Sequence, residues 1–119
     1  MTTKTELKEA YKLRKFKAGV FQIRNTTNGK IFIGSNINLD KIWNRIAFEL
    51  NFGSYKNAEL QNDWKIFGEN NFVYEILSVI EEKDGEQIDI QREIKILEKM
   101  FLEELQPFGE KGYNKIKKS

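Results

Sequence analysis

Apolar residues recur along this chain at two distinct periods. From Gly19 they alternate: Phe21 and Ile23 fall on one side of an extended segment and Val20, Gln22 and Arg24 on the other, the period of a partly buried strand. Lys30 to Ile33 predicts a second strand. Asn28-Gly29 between them tolerates positive φ at both positions and predicts a tight return, and the five residues Asn25 to Gly29 also permit a longer loop. Past Asn38, a good N-cap, the period becomes helical: Leu39, Ile42, Trp43, Ile46 and Leu50 share a stripe that predicts a helix from about Leu39 to Leu50.

The alternation of periods continues to the C-terminus. Asn57 to Phe67 predicts a second helix that buries Leu60, Trp64 and Phe67 and stops at Gly68. Phe72 to Leu77 predicts a third strand. An acidic turn, Glu81 to Gln87 with Asp84-Gly85, leads to a long helix marked by Ile90, Ile94, Leu97, Phe101 and Leu105 and ended by Pro107, the only proline. Residues 5–16 carry a thinner stripe of Leu7, Ala10, Tyr11 and Leu13, which predicts a short, highly charged helix. The order hairpin, helix, helix, strand, helix predicts an α/β domain: a small three-stranded mixed or antiparallel sheet flanked by about three helices, plus a short N-terminal helical extension. The expected division is a basic extension over 1–17, one domain over 18–115 and a basic tail over 116–119.

Length and composition narrow the chemistry. At 119 residues with 39% hydrophobic content, the chain holds enough apolar material for one core. No stretch approaches the roughly 18 to 20 apolar residues of a membrane span, no signal-peptide pattern opens it, and a cytoplasmic location with no membrane partner is expected. Cysteine and histidine are both absent. Disulfides, the usual zinc sites, a serine–histidine triad and a histidine base are therefore excluded. What remains is carboxylate, phenol, lysine and arginine chemistry, with magnesium or manganese as the metal such a set would hold.

The net charge of +2 conceals basic ends around an acidic middle. Residues 1–30 carry eight Lys or Arg against two acids, residues 111–119 four lysines and no acid, and residues 31–110 eight bases against sixteen acids. Lys12, Arg14, Lys15, Lys17, Arg24, Lys30, Lys41, Arg45, Lys115, Lys117 and Lys118 are the candidate phosphate contacts, since such contacts dominate sequence-nonspecific nucleic-acid affinity.

Several motifs point to a family. Gly19-Val20-Phe21, Asn28-Gly29-Lys30 and Phe32-Ile33-Gly34 resemble the signature hairpin of the GIY-YIG nucleases. Leu60 to Trp64, Gly68 to Phe72 and Gly112-Tyr113-Asn114 resemble that family's second helix, the approach to its third strand and its closing motif. The resemblance covers roughly residues 18–115. It implies a phosphodiester-cleaving scaffold in which a glutamate on the third helix holds one divalent metal, a hairpin tyrosine activates water, and an arginine on the first helix stabilises the phosphorane. Glu98 matches the metal-binding glutamate and Asn114 the closing asparagine. Phe21 and Phe32 stand in place of the two tyrosines, Ile42 in place of the arginine and Ile46 in place of a frequent histidine. Tyr55 lies where some members have another histidine, and Arg45 is expected beside the missing arginine.

The substitutions have a definite chemical meaning. Phenylalanine has no hydroxyl to accept a proton, a role worth about 10²- to 10⁴-fold in rate. Isoleucine has no donor, and losing a charged clamp on a phosphoryl transition state costs about 10²-fold or more. Tyr74 and Tyr113 are available as substitute phenols. Lys41 and Arg45 are available as substitute cations, rotated about 100° and 300° from Ile42 around the helix. Three functions remain open: a DNA-binding, nuclease-like domain with weak or no cleavage; a divergent active endonuclease using Mg²⁺ or Mn²⁺ at Glu98; and a protein-interaction or homodimer module whose contact is the apolar Ile42 and Ile46 face.

Overall fold

The computed structural model describes residues 17–80 and 89–115. The predicted N-terminal helix, the acidic turn and the candidate contacts Lys12, Arg14, Lys15, Lys117 and Lys118 lie outside the described residues.

Three strands form one antiparallel sheet: β1 (Ala18–Asn25), β2 (Ile31–Asn36) and β3 (Phe72–Ile80), in the order β2-β1-β3. The central strand β1 is covered most completely over its first half and on its Phe21 face, while Gln22 and Arg24 on the other face stay half-buried and bond to Glu75. Val20, Phe21 and Ile23 are all buried. The register sets Phe21 opposite Gly34 on β2, and a Cβ on Gly34 would come within 2.5 Å of the Phe21 ring. That glycine is where a strand residue must leave room for the ring beside it.

The second strand is longer than predicted, extending to Asn36, and the hairpin closes by the longer loop. The Asn25 amide donates to the Lys30 carbonyl at 2.9 Å and the Gly29 amide to the Asn25 carbonyl at 2.8 Å. Gly29 takes positive φ (+79°), whereas Asn28 does not. Asn28 instead accepts from the Lys30 amide and Asn25 from the Thr27 amide, each at 2.9 Å. Asn–backbone turns of this kind replace the two-residue return that positive φ at both positions would have made.

The helices follow their caps. Helix α1 (Leu39–Phe52) begins at Asn38, whose side chain accepts from the Lys41 amide at 3.0 Å, and ends at Gly53 in the left-handed region. Helix α2 (Ala58–Phe67) begins at Asn57, which accepts from the Leu60 amide at 3.0 Å, and stops at Gly68. Helix α3 (Ile90–Leu105) is capped by Asp89, a start signal that periodicity alone did not mark, and ends at Gln106 before Pro107. Each cap satisfies an orphan amide and is worth about 1 kcal/mol.

Leu39, Ile46 and Leu50 from α1 and Leu60 and Trp64 from α2 join Phe21 and Ile23 in the main core. Full burial of each aliphatic side chain contributes about 2 kcal/mol. Val20 and Ile33 are buried on the opposite side of the sheet, and α3 packs across β1 and β2 with Ile94 as its buried residue. The C-terminal segment then returns to β2, where the Tyr113 amide donates to the Ile31 carbonyl at 2.9 Å. No helix among the described residues is long and apolar enough to cross a membrane.

Candidate functional site

Because β2 is an edge strand, its free side is where α1 and α3 approach one another around the sheet. A cleft of about 430 Å³ opens there. Alternation along β2 sends Phe32 and Gly34 toward α1, and Ile33 and Ser35 toward α3. The cleft therefore takes side chains from both faces.

The sequence-matched positions converge on this cleft. Phe21, Phe32, Ile42 and Ile46 form an apolar wall on the α1 side. Phe21 and Ile46 are almost fully buried, at 2% and 3% exposure. Phe32 meets the Tyr55 ring edge to face, with centroids 6.2 Å apart. Tyr55 is the phenol that borders the cleft, and burial, then the nearby Glu49 carboxylate, push its hydroxyl up to about 12. At neutral pH it is a proton donor and not a base.

The two phenols considered as substitutes are committed elsewhere. Tyr74 donates to the Leu39 carbonyl at 2.6 Å and stacks on Trp43 with centroids 4.8 Å apart. Burial, then Asp40, raises its hydroxyl to about 12. Tyr113 donates to Asp63 Oδ2 at 2.7 Å and accepts from Asn25 Nδ2 at 3.1 Å. Burial comes first among the causes that raise it to about 12. Neither borders the cleft.

On the α3 side, Glu98 accepts from Ser35 Oγ at 3.0 Å, and its Oε2 also lies 3.3 Å from Lys95 Nζ. Asn114 lines the cleft, but its amide is engaged by the backbone. It accepts from the Ile33 amide and donates to the Ile33 carbonyl, both at 2.8 Å. A side chain thus caps the edge of β2 in the manner of one more strand, which blunts an otherwise open ladder.

Basic candidates separate into three groups. Arg45 borders the cleft while contacting Glu49 at 3.4 Å. Arg24 pairs with Glu75 at 2.8 Å, holding that carboxyl below its ordinary range, and Lys30 pairs with Glu59 at 2.6 Å, which raises the ammonium. Lys17, Lys41 and Lys115 are exposed and lie outside the cleft. Six cleft residues were not singled out from the sequence: Ser35, Asn36, Glu49, Ser54, Lys56 and Lys95. Helical spacing alone places Lys95 one turn before Glu98, and that is the signal by which it was findable.

Ile46 belongs to the core, and Ile42, half-buried, packs against it, so the part of this stripe that solvent reaches is the wall of the cleft.

A divalent cation fits these residues poorly. Glu98 presents one carboxylate whose Oε2 already has two partners, and among the described residues no group of three or more acidic, histidine or cysteine side chains converges. Cations also outnumber carboxylates in the lining, Arg45, Lys56 and Lys95 against Glu49 and Glu98. Water and substrate oxygens can complete the shell of a hard cation, but it gains from negative surroundings, which this lining does not supply.

An antiparallel three-stranded sheet, three helices and a cleft at the β2 edge define a GIY-YIG-type, nuclease-like catalytic-domain fold. In particular, the chain is similar to the catalytic domain of the homing endonuclease I-TevI. The two share 29% sequence identity and a TM-score of 0.69 over 85% of this chain and 100% of that domain. A second structure of that domain, of a mutant form, gives 29% identity and a TM-score of 0.68 over 83% of this chain and 93% of that one. Intron-associated endonuclease 1 of Enterobacteria phage T4 is 38% identical over 69 residues, which are 57% of this chain. The match spans 28% of that curated relative's length. No protein-family model matches the chain.

Proposed function

We propose that this chain is a DNA-binding, nuclease-like domain that receives a phosphodiester backbone in the β2 cleft and cleaves it weakly or not at all. The observation that carries the reading is the apolar wall of Phe21, Phe32, Ile42 and Ile46 along the α1 side of the cleft. Proton transfer to a cleft phenol is unavailable at Phe32 and unfavourable at Tyr55, whose hydroxyl holds its proton up to about 12. Losing a general base costs about 10²- to 10⁴-fold and losing the charge clamp about 10²-fold or more. The two losses need not multiply, because such groups act as a unit. DNA as the ligand is supported by the similarity to a homing endonuclease, and the exposed lysines around the cleft suit sequence-nonspecific contact.

A second reading, a divergent active endonuclease, is favoured by Tyr55 and Arg45, the phenol and the guanidinium that do border the cleft. One experiment separates the two. Supercoiled plasmid is incubated with highly purified protein in Mg²⁺ and in Mn²⁺, beside equally purified Glu98→Ala and Tyr55→Phe variants, and binding is read from the same samples by mobility shift. The proposal expects a shift without nicking above the level of the variants. Nicking by the unaltered chain that both variants lose would overturn it in favour of the second reading, and no shift at all would remove DNA as the ligand.

A further inference from the structure

The cleft carries a charge arrangement that the substitutions on α1 do not by themselves explain. Lys95 extends from α3 one turn before Glu98, and its ammonium sits 3.3 Å from Glu98 Oε2, the oxygen that also accepts from Ser35. The Glu98 side chain is 19% exposed whereas that of Lys95 is 70% exposed. The carboxylate is thus recessed, with the ammonium at its solvent side. The same arrangement recurs on α1, where Arg45 reaches Glu49 at 3.4 Å. Both cleft carboxylates therefore have a cation from their own helix, and Lys56 adds a third positive charge with no carboxylate partner among the described residues.

We infer that Lys95 stands in for a divalent cation at Glu98, which makes the cleft a metal-free oxyanion site in which Lys95 and Lys56 meet the phosphate of the bound backbone. A cation approaching Glu98 meets an ammonium 3.3 Å from Oε2 and a lining of net positive charge, and both oppose it. A phosphate oxyanion meets the reverse: two ammonium groups in the lining, Lys56 and the largely exposed Lys95, with no buried pair to break. Lysine suits this role, being a mobile point charge on a flexible stem. The ligand's identity rests on the function proposed above; the pairing of Lys95 with Glu98 does not.

The test uses the full chain and has two arms. In the first, Mn²⁺ alone is titrated into DNA-free protein and followed by the electron paramagnetic resonance of the free ion. The unaltered chain is expected to show no Glu98-dependent binding tighter than about 1 mM. Lys95→Gln is expected to strengthen Mn²⁺ binding about fivefold or more, a gain lost again in Lys95→Gln/Glu98→Gln. Tight, Glu98-dependent binding by the unaltered chain, or no gain in Lys95→Gln, overturns the inference. Both substitutions fall at exposed or solvent-bordering positions, and circular dichroism checks their fold.

The second arm measures the affinity of a short labelled duplex in EDTA and in Mg²⁺ at matched ionic strength. Equal affinities are expected, together with a salt dependence shallower by about 0.9 in log–log slope for each of Lys56→Gln and Lys95→Gln. Lys65→Gln, on α2 outside the cleft, is expected to leave the slope unchanged. Binding that requires Mg²⁺ overturns the inference. A chain that binds no duplex overturns the phosphate half along with the function it rests on, while the Mn²⁺ arm still decides whether Lys95 takes the cation's place.

Discussion

Tyr113→Phe removes one oxygen from the closing motif, and the structure lets its effect be worked out. That hydroxyl donates to Asp63 Oδ2 at 2.7 Å and accepts from Asn25 Nδ2 at 3.1 Å, and both Tyr113 and Asn25 are 0% exposed. Deleting it loses a hydrogen bond to a carboxylate, worth about 1.5 to 3 kcal/mol, and leaves a buried amide donor without a partner, which costs about 1 to 3 kcal/mol. Asp63 keeps a contact from Asn28 Nδ2 at 3.3 Å, and the two losses share one atom, so the sum overstates the effect. A destabilisation of about 2 to 4 kcal/mol is expected, which for a domain of this size lowers Tm by roughly 10 to 20 °C. Thermal melts by circular dichroism, with urea titration as a check on the slope, measure it. Below its melting range the variant should bind duplex DNA as the unaltered chain does. A Tm shift under about 3 °C would refute the network's structural role. Loss of nicking in a fully folded variant would mean that Tyr113 is a catalytic phenol after all.

Three other outcomes follow from the same structure. Asn114→Ala removes both 2.8 Å bonds to the Ile33 backbone and is expected to cost about 1 to 3 kcal/mol, with faster amide exchange at Ile33; unchanged exchange there would refute the edge-capping role. Gly34→Ala sets a methyl within 2.5 Å of the Phe21 ring, and overpacking of this kind costs about 1 to 3 kcal/mol, so a urea midpoint equal to the parent's would show that the ring moves freely. Tyr55, Tyr74 and Tyr113 all hold their protons up to about 12 in the fold, against about 10 in the unfolded chain. Between these values the unfolded state binds fewer protons, so stability falls as pH rises from about 10 to about 12 and levels beyond, with no contribution at neutral pH. Phenolate absorbance rising near 10 while the chain is still folded would contradict this.

The sequence by itself determined the elements and their order, because caps and periods are local. Asn38 marks a helix start through a bond that reaches three residues along the chain, Gly68 marks an end, and an apolar stripe reports which side must be covered. Motif spacing also brought forward the positions that meet at the β2 edge, although nothing local says they touch. What the tertiary structure decided is the partner of each polar group. Tyr74, Tyr113 and Asn114 read alike as hydrogen-bonding side chains in the sequence, yet two serve the core and the third caps a strand, since each partner lies more than 30 residues away. Likewise, the Ile42 and Ile46 stripe was legible as apolar but not as buried, because burial depends on what packs against it. Lys95 gained its meaning only when β2 brought Ser35 to Glu98 and the cleft's charges could be seen together. Local propensity is fixed by neighbours in the chain, whereas electrostatics and solvation depend on neighbours in space, and only folding sets those.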